Sequence, residues 1–165
     1  MNLEYLPNQG FIINSIKIEW NMERDSVRKR LENKHKSDDR LIDVADFFDG
    51  DKSKNIDQKR DIYEKLYSEN DSFFLSYDQN NMLTELEVHS GFDITLDGIK
   101  LEFGNEILDF VKKFQDKGVE WTEMESGNYL LPILKVNIAN SESLGGDGTG
   151  LEYFYGALDI SHLTE

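Results

Sequence analysis

Cysteine is absent from the 165 residues, and with it go disulfides, thiolate metal sites and cysteine nucleophiles. No segment approaches the roughly 18 consecutive apolar residues of a membrane-spanning helix. The opening Met1-Asn2-Leu3-Glu4-Tyr5-Leu6-Pro7 has neither the basic nor the apolar stretch of a secretory signal. Positive charge is also scarce: 18 Lys and Arg stand against 33 Asp and Glu, a net charge of −15. A field of that sign repels nucleic acid and anionic membrane, so neither is an expected partner, and it attracts basic proteins. These absences together predict a cytoplasmic protein without a metal or other cofactor.

Bulky apolar material is plentiful. Ten Phe, seven Tyr and two Trp lie within a 38% hydrophobic composition, enough for a packed core and against disorder. A chain of this length buries roughly two-thirds of its unfolded surface on folding, so it needs no covalent staple.

The pattern repeats. Ile16-Lys17-Ile18-Glu19-Trp20 aligns with Ile99-Lys100-Leu101-Glu102-Phe103, 83 residues on. The match continues without a gap through Glu23 with Glu106, Val27 with Phe110 and Leu31 with Phe114, and is preceded by the turn pairs Asn14-Ser15 and Asp97-Gly98. Alternation at Ile16 and Ile18 reads as a half-buried strand. Helices are expected over 22–32 and 105–117, starting near Asn21 and Gly104-Asn105, the second carrying Ile107, Phe110, Val111 and Phe114 on one stripe. Strand signals then follow in both halves, at 61–67, 73–77 and 82–89, and at 119–125, 129–139 and 151–160. The chain is therefore expected to be α+β, with two strand-helix-antiparallel-sheet units, 10–91 and 92–161. They would form one broad antiparallel sheet with the helices on one face.

A tandem of helix-plus-antiparallel-sheet units over residues 10–161 resembles the architecture of the β-lactamase-inhibitory proteins. That resemblance implies a concave sheet that grips another protein. Members of that family are secreted and disulfide-bonded, which this chain's composition does not match. In size and acidity the chain also resembles bacterial immunity proteins, which neutralise toxins.

Residues that imitate catalytic or ligand-binding motifs fail on chemistry. Asp49, Asp51, Ser53, Asn55 and Asp57 place oxygens at alternate positions, as in a calcium loop. Lys54 stands where the turn needs Gly, however, and Arg60 where it needs a bidentate Glu. Gly145 to Gly150 has phosphate-loop spacing, but Leu151-Glu152 replaces the Lys-Ser/Thr pair, so a flexible hairpin loop is expected. His35, His89 and His162 fall in no metal-binding frame, and the 33 carboxylates single out no pair. No nucleophile, base and orienting group are identifiable together, so a non-enzyme is expected.

What is left is a binding surface. Tyr153-Phe154-Tyr155 alternates across a sheet, so at least one ring is expected to point away from the helices. Tyr153, Tyr155, Tyr129 and Trp121, with the acidic Asp147 and Glu152, are the expected partner-binding residues. The expected function is an intracellular acidic inhibitor, an immunity protein that neutralises a basic protein toxin such as a nuclease. Two rivals are a regulatory or scaffold module of a larger assembly and a carboxylate-based hydrolase.

Overall fold

A computed structural model describes residues 1–164; Glu165 lies outside the described residues. In chain order the elements are β1 (Asn2–Leu6), β2 (Gly10–Ile13), β3 (Ile16–Glu19), α1 (Arg24–Arg30), β4 (Lys36–Ser37), β5 (Arg40–Ile42), β6 (Ile56–Glu64), β7 (Ser72–Tyr77) and β8 (Leu83–Ser90). They continue with β9 (Asp93–Leu96), β10 (Ile99–Glu102), α2 (Ile107–Asp116), β11 (Thr122–Glu125), β12 (Asn128–Leu131), β13 (Val136–Asn140) and β14 (Leu151–Ala157).

The α+β class holds, but the strands form two sheets rather than one. Five run in the order β10-β9-β1-β2-β3, and the larger sheet runs β11-β12-β13-β14-β8-β7-β6-β4, with β5 pairing the far end of β6. The smaller sheet arises because each helix is preceded by a hairpin, not a single strand. Asn14-Ser15 and Asp97-Gly98 both adopt positive φ, giving two-residue turns whose twist suits a hairpin. The boundary expected at residue 10 cuts off β1, which lies between the two hairpins, antiparallel to β2 and parallel to β9.

Packing makes two layers. The inner face of the large sheet, with Phe73, Leu75, Leu86, Ile138 and Phe154, meets a second layer of the five-stranded sheet and both helices in one continuous core. Tyr5 shows the junction: its ring contacts Phe154 edge-on at 5.5 Å, and its hydroxyl donates to the Lys135 carbonyl at 3.1 Å. Fully burying one such side chain contributes about 1.5–3 kcal/mol, so the alternating apolar residues fix which face of each strand turns inward.

The helices begin two residues later than the sequence suggests, capped by the Glu23 and Glu106 side chains. Asn21 and Gly104 instead turn left-handed and bond the sheet. Asn21 N donates to Leu83 O at 2.9 Å and Leu83 N to Met22 O at 2.9 Å, while Gly104 N donates to Leu151 O at 2.8 Å and Leu151 N to Asn105 O at 2.8 Å. The expected strand at 129–139 is broken by a 3-10 turn at Pro132–Leu134, after which Lys135 takes φ 53°. The strand expected at 151–160 stops at Ala157, so Leu158-Asp159-Ile160 lies past the end of β14.

Candidate partner-binding surface

The outer face of the large sheet carries the residues that alternate with the core. On β14, Phe154 turns inward, while Tyr153 and Tyr155 turn outward, away from the helices. Both are largely covered. Tyr153 donates to Glu87 Oε2 at 3.2 Å, and the Tyr155 hydroxyl lies 3.4 Å from His162 Nε2. Burial first, and then the nearby Glu87 and Glu85 carboxylates, raise both phenols far above the usual range, so they stay protonated donors.

The six expected binding residues do not form one surface. Tyr129 is buried in the main core and packs edge-on against Trp121 at 5.7 Å, on the opposite side of the sheet from Tyr153 and Tyr155. The neighbours of Tyr129 on β12, Leu130 and Asn128, take the outward positions instead, as the strand alternates. Glu152 is exposed beside the register shift where β13 meets β14. Asp147 is exposed on the loop before β14, and that loop is more ordered than its glycines suggest. Glu142 N bonds Gly148 O at 3.0 Å, Ser143 N bonds Asn140 Oδ1 at 2.9 Å, and Thr149 Oγ1 reaches Glu106 Oε2 at 2.6 Å.

Beside Tyr153 and Tyr155 the fold places residues that the sequence did not single out for binding. Glu85, Glu87 and His89 are successive outward positions of β8, and Arg60 reaches them from β6. The Arg60 guanidinium lies over the Phe74 ring at 4.9 Å and 3.8 Å from Glu87 Oε1. His89 stacks between Phe74 and Tyr153, at 4.4 and 5.5 Å, and its Nε2 is 3.7 Å from Glu87 Oε2. The polar alternation Glu85-Leu86-Glu87-Val88-His89 was the available signal. Burial raises the Glu85 carboxyl, partly offset by the Tyr155 hydroxyl. A hollow of ≈ 240 Å³ borders Arg60, Glu85 and Glu87. Glu87 stands at the centre of this face: it accepts from Tyr153 and neighbours both Arg60 and His89, whose buried Nε2 has no hydrogen-bond partner among the described residues.

A second surface lies at the end of β6. Its residues Ile56–Gln58 run beyond β7, whose last pair is Tyr77 with Lys59, and are partnered by β5 alone. From this overhanging ribbon projects the arm of residues 43–55. It has its own hydrogen bonds: Val44 N to Asn55 Oδ1 at 3.1 Å, Gly50 N to Ala45 O at 2.9 Å and Asp51 N to Phe48 O at 2.9 Å. Within it Ala45–Phe47 forms a single 3-10 turn. The oxygens of 49–57 do not converge, since Asp51 caps Ser53 and Asn55 faces Val44. Phe47 is 86% exposed, and Phe48, Leu41 and Ile56 are exposed as well.

Charge anchors the root of this arm. Arg24 donates to Asp39 through Nη1 and Nη2 at 2.9 and 2.6 Å, and to Asp61 Oδ1 at 2.6 Å; Arg28 adds a bond to Asp61 Oδ1 at 2.7 Å. Asp38 accepts from Arg60 Nε at 3.0 Å. Burial opposes the charge on Asp61, but the Arg28 and Arg24 guanidiniums outweigh it and hold the carboxyl below its usual range. The hydrogen bond from Arg24 does the same for Asp39.

Among the described residues no helix is long and apolar enough to cross a membrane. Searches of protein-family models, curated proteins and solved structures give no match to the chain.

Proposed function

We propose that this protein is a non-catalytic inhibitor that binds a basic protein, in the manner of an immunity protein acting on a nucleic-acid-binding toxin. One observation carries the reading. Even if every one of the 18 Lys and Arg neutralised a carboxylate, the excess of −15 would remain without a cation of the chain's own. Such an excess destabilises the compact state by self-repulsion, and a basic partner relieves it. The Glu87 carboxylate is engaged by Tyr153 at 3.2 Å and lies within ion-pair range of Arg60 and His89, at 3.8 and 3.7 Å, which favours binding over catalysis.

We also read the chain as two equivalent units. The matched bond pairs of Asn21 and Met22 with Leu83, and of Gly104 and Asn105 with Leu151, support this. So do the capping residues Glu23 and Glu106, which occupy matching positions. On this reading β8 and β14, paired through Glu87 and Tyr155, are the corresponding strands of the two units.

The test is a pull-down from the source organism with the purified chain as bait, washed at rising salt. The captured protein is then expressed in cells with and without the chain. Capture of a basic protein whose toxicity the chain suppresses is expected. Failure to hold any basic protein at about 0.15 M salt, where surface charge still acts over about 8 Å, would sink the reading.

A further inference from the structure

The arm at residues 43–55 combines three properties that conflict unless something covers it. It is apolar, acidic and preorganised. Half of the large hydrophobics left exposed among the described residues belong to this arm and the ribbon beneath it: Leu41, Phe47, Phe48 and Ile56, out of eight. An 86% exposed Phe is costly to leave in water. The arm carries four aspartates, Asp43, Asp46, Asp49 and Asp51, against two lysines, Lys52 and Lys54, and the lysines follow the aspartates in the chain. Asp43 and Asp51 accept local hydrogen bonds from Ala45 and Ser53, but the charge of the aspartates is not neutralised locally. Among the ion pairs of the described residues none involves any of these four. The internal hydrogen bonds and the Arg24–Asp39 anchor hold the display in place, so little conformational freedom is lost when it is covered.

We infer that this arm is the docking element, and that its occupant is a basic groove of the partner protein floored by an apolar pocket that takes the Phe47 ring. The inference rests on the reading of the protein as a binder of basic proteins and names the part that binds. Charge selects the occupant. A second copy of the chain would set one net-negative arm on a body of charge −15 against another, whereas lysines or arginines rimming a pocket would meet the aspartates with opposite charge. An aromatic anchor surrounded by charges that steer the encounter is the usual anatomy of a binding hot spot.

Fluorescence anisotropy with two labelled probes tests this: an amphipathic peptide of lysine and leucine, and polylysine of equal charge. At about 0.15 M salt the amphipathic peptide is expected to bind the chain about tenfold more tightly than polylysine does. Phe47→Ala should remove that advantage, while Leu108→Ala, which truncates an exposed residue on α2, should leave it unchanged. Asp46→Asn with Asp49→Asn should slow association and flatten its salt dependence. Thermal melting of each variant checks that the fold is intact.

If both probes bind equally and Phe47→Ala has no effect, the arm is not the docking element, although the attraction to basic proteins stands. If neither probe binds even at about 0.05 M salt, the arm and the broader reading both fail. A concentration-dependent dimer that Phe47→Ala dissolves would make a second copy the occupant and overturn the inference.

Discussion

Asp61 has no solvent exposure at its side chain, and Arg24, itself only 6% exposed there, meets it at 2.6 Å beneath α1. The same helix supplies Arg28, so one buried carboxylate answers two guanidiniums. In the second half of the chain, the buried apolar Ile107 and Val111 of α2 stand 83 residues beyond Arg24 and Arg28.

Removing one partner of such a cluster should therefore be far worse than replacing all of it. Asp61→Ala leaves the buried Arg24 and the partly exposed Arg28 guanidiniums short of a counter-charge and should lower stability by about 3–5 kcal/mol. The triple change Arg24→Met, Arg28→Leu and Asp61→Leu should be markedly less damaging, because a well-packed apolar replacement avoids desolvating charge. Urea denaturation of both variants checks the order. A triple variant less stable than Asp61→Ala would contradict it.

Acid should unfold the protein through this cluster. Asp61 and Asp39 both have carboxyls held below the usual range. The unfolded chain therefore binds protons first as pH falls. The stabilisation is complete above the ordinary Asp range, near about 3.9, and is lost as pH drops through the lower folded values. Melting curves from neutral to acid pH should show this loss steepened by salt bridges that Asp61→Asn no longer has.

Glu85 should act in the opposite sense. Its carboxyl is raised, chiefly by burial, so the folded form holds its proton more tightly than the unfolded form. Its contribution is complete below the ordinary Glu range and declines as pH rises through the raised value. Glu85→Gln should raise the melting temperature at about pH 7 and have little effect at about pH 4. An unchanged melting temperature at the higher pH would argue that the carboxylate is well solvated.

Gly156 is needed for space. A Cβ there would fall 2.2 Å from the Tyr5 ring. Gly156→Ala should destabilise by about 1–3 kcal/mol through displacement of that ring. Combining it with Tyr5→Leu should recover part of the loss, measured as a non-additive double-mutant cycle.

The arm should contribute little to stability. Phe47→Ala removes a ring that is 86% exposed and should change the unfolding free energy by less than about 0.5 kcal/mol. A larger loss would mean that the ring packs against the body of the protein.

Local periodicity made part of this fold legible. The stripe of Ile107, Phe110, Val111 and Phe114 gives α2, and Asn14-Ser15 and Asp97-Gly98 give the two hairpin turns. Strand partners were not legible. Alternation in β1 sets which side chains face inward, but nothing local says that Leu3 lies opposite Ile94. The same limit explains the second sheet and the split surface. Tyr129 and Tyr153 sit on neighbouring stretches of one sheet, yet their faces depend on the register by which Ile138 pairs with both Tyr129 and Phe154 across the turn at Pro132. Phe47 and Phe48 illustrate another limit: composition counts them as core material, and only the overhang of β6 beyond β7 leaves them uncovered.

The position of β1 sets an order of assembly. During synthesis β1 can pair at once with β2, but its other edge waits until β9 has left the ribosome. Until then the nascent chain exposes an unsatisfied strand edge, and Tyr5 lacks the Lys135 and Ala157 carbonyls that its hydroxyl meets in the finished protein. A release from the ribosome stalled before β9 should yield an aggregation-prone fragment, and separately made halves should become soluble together more readily than either does alone.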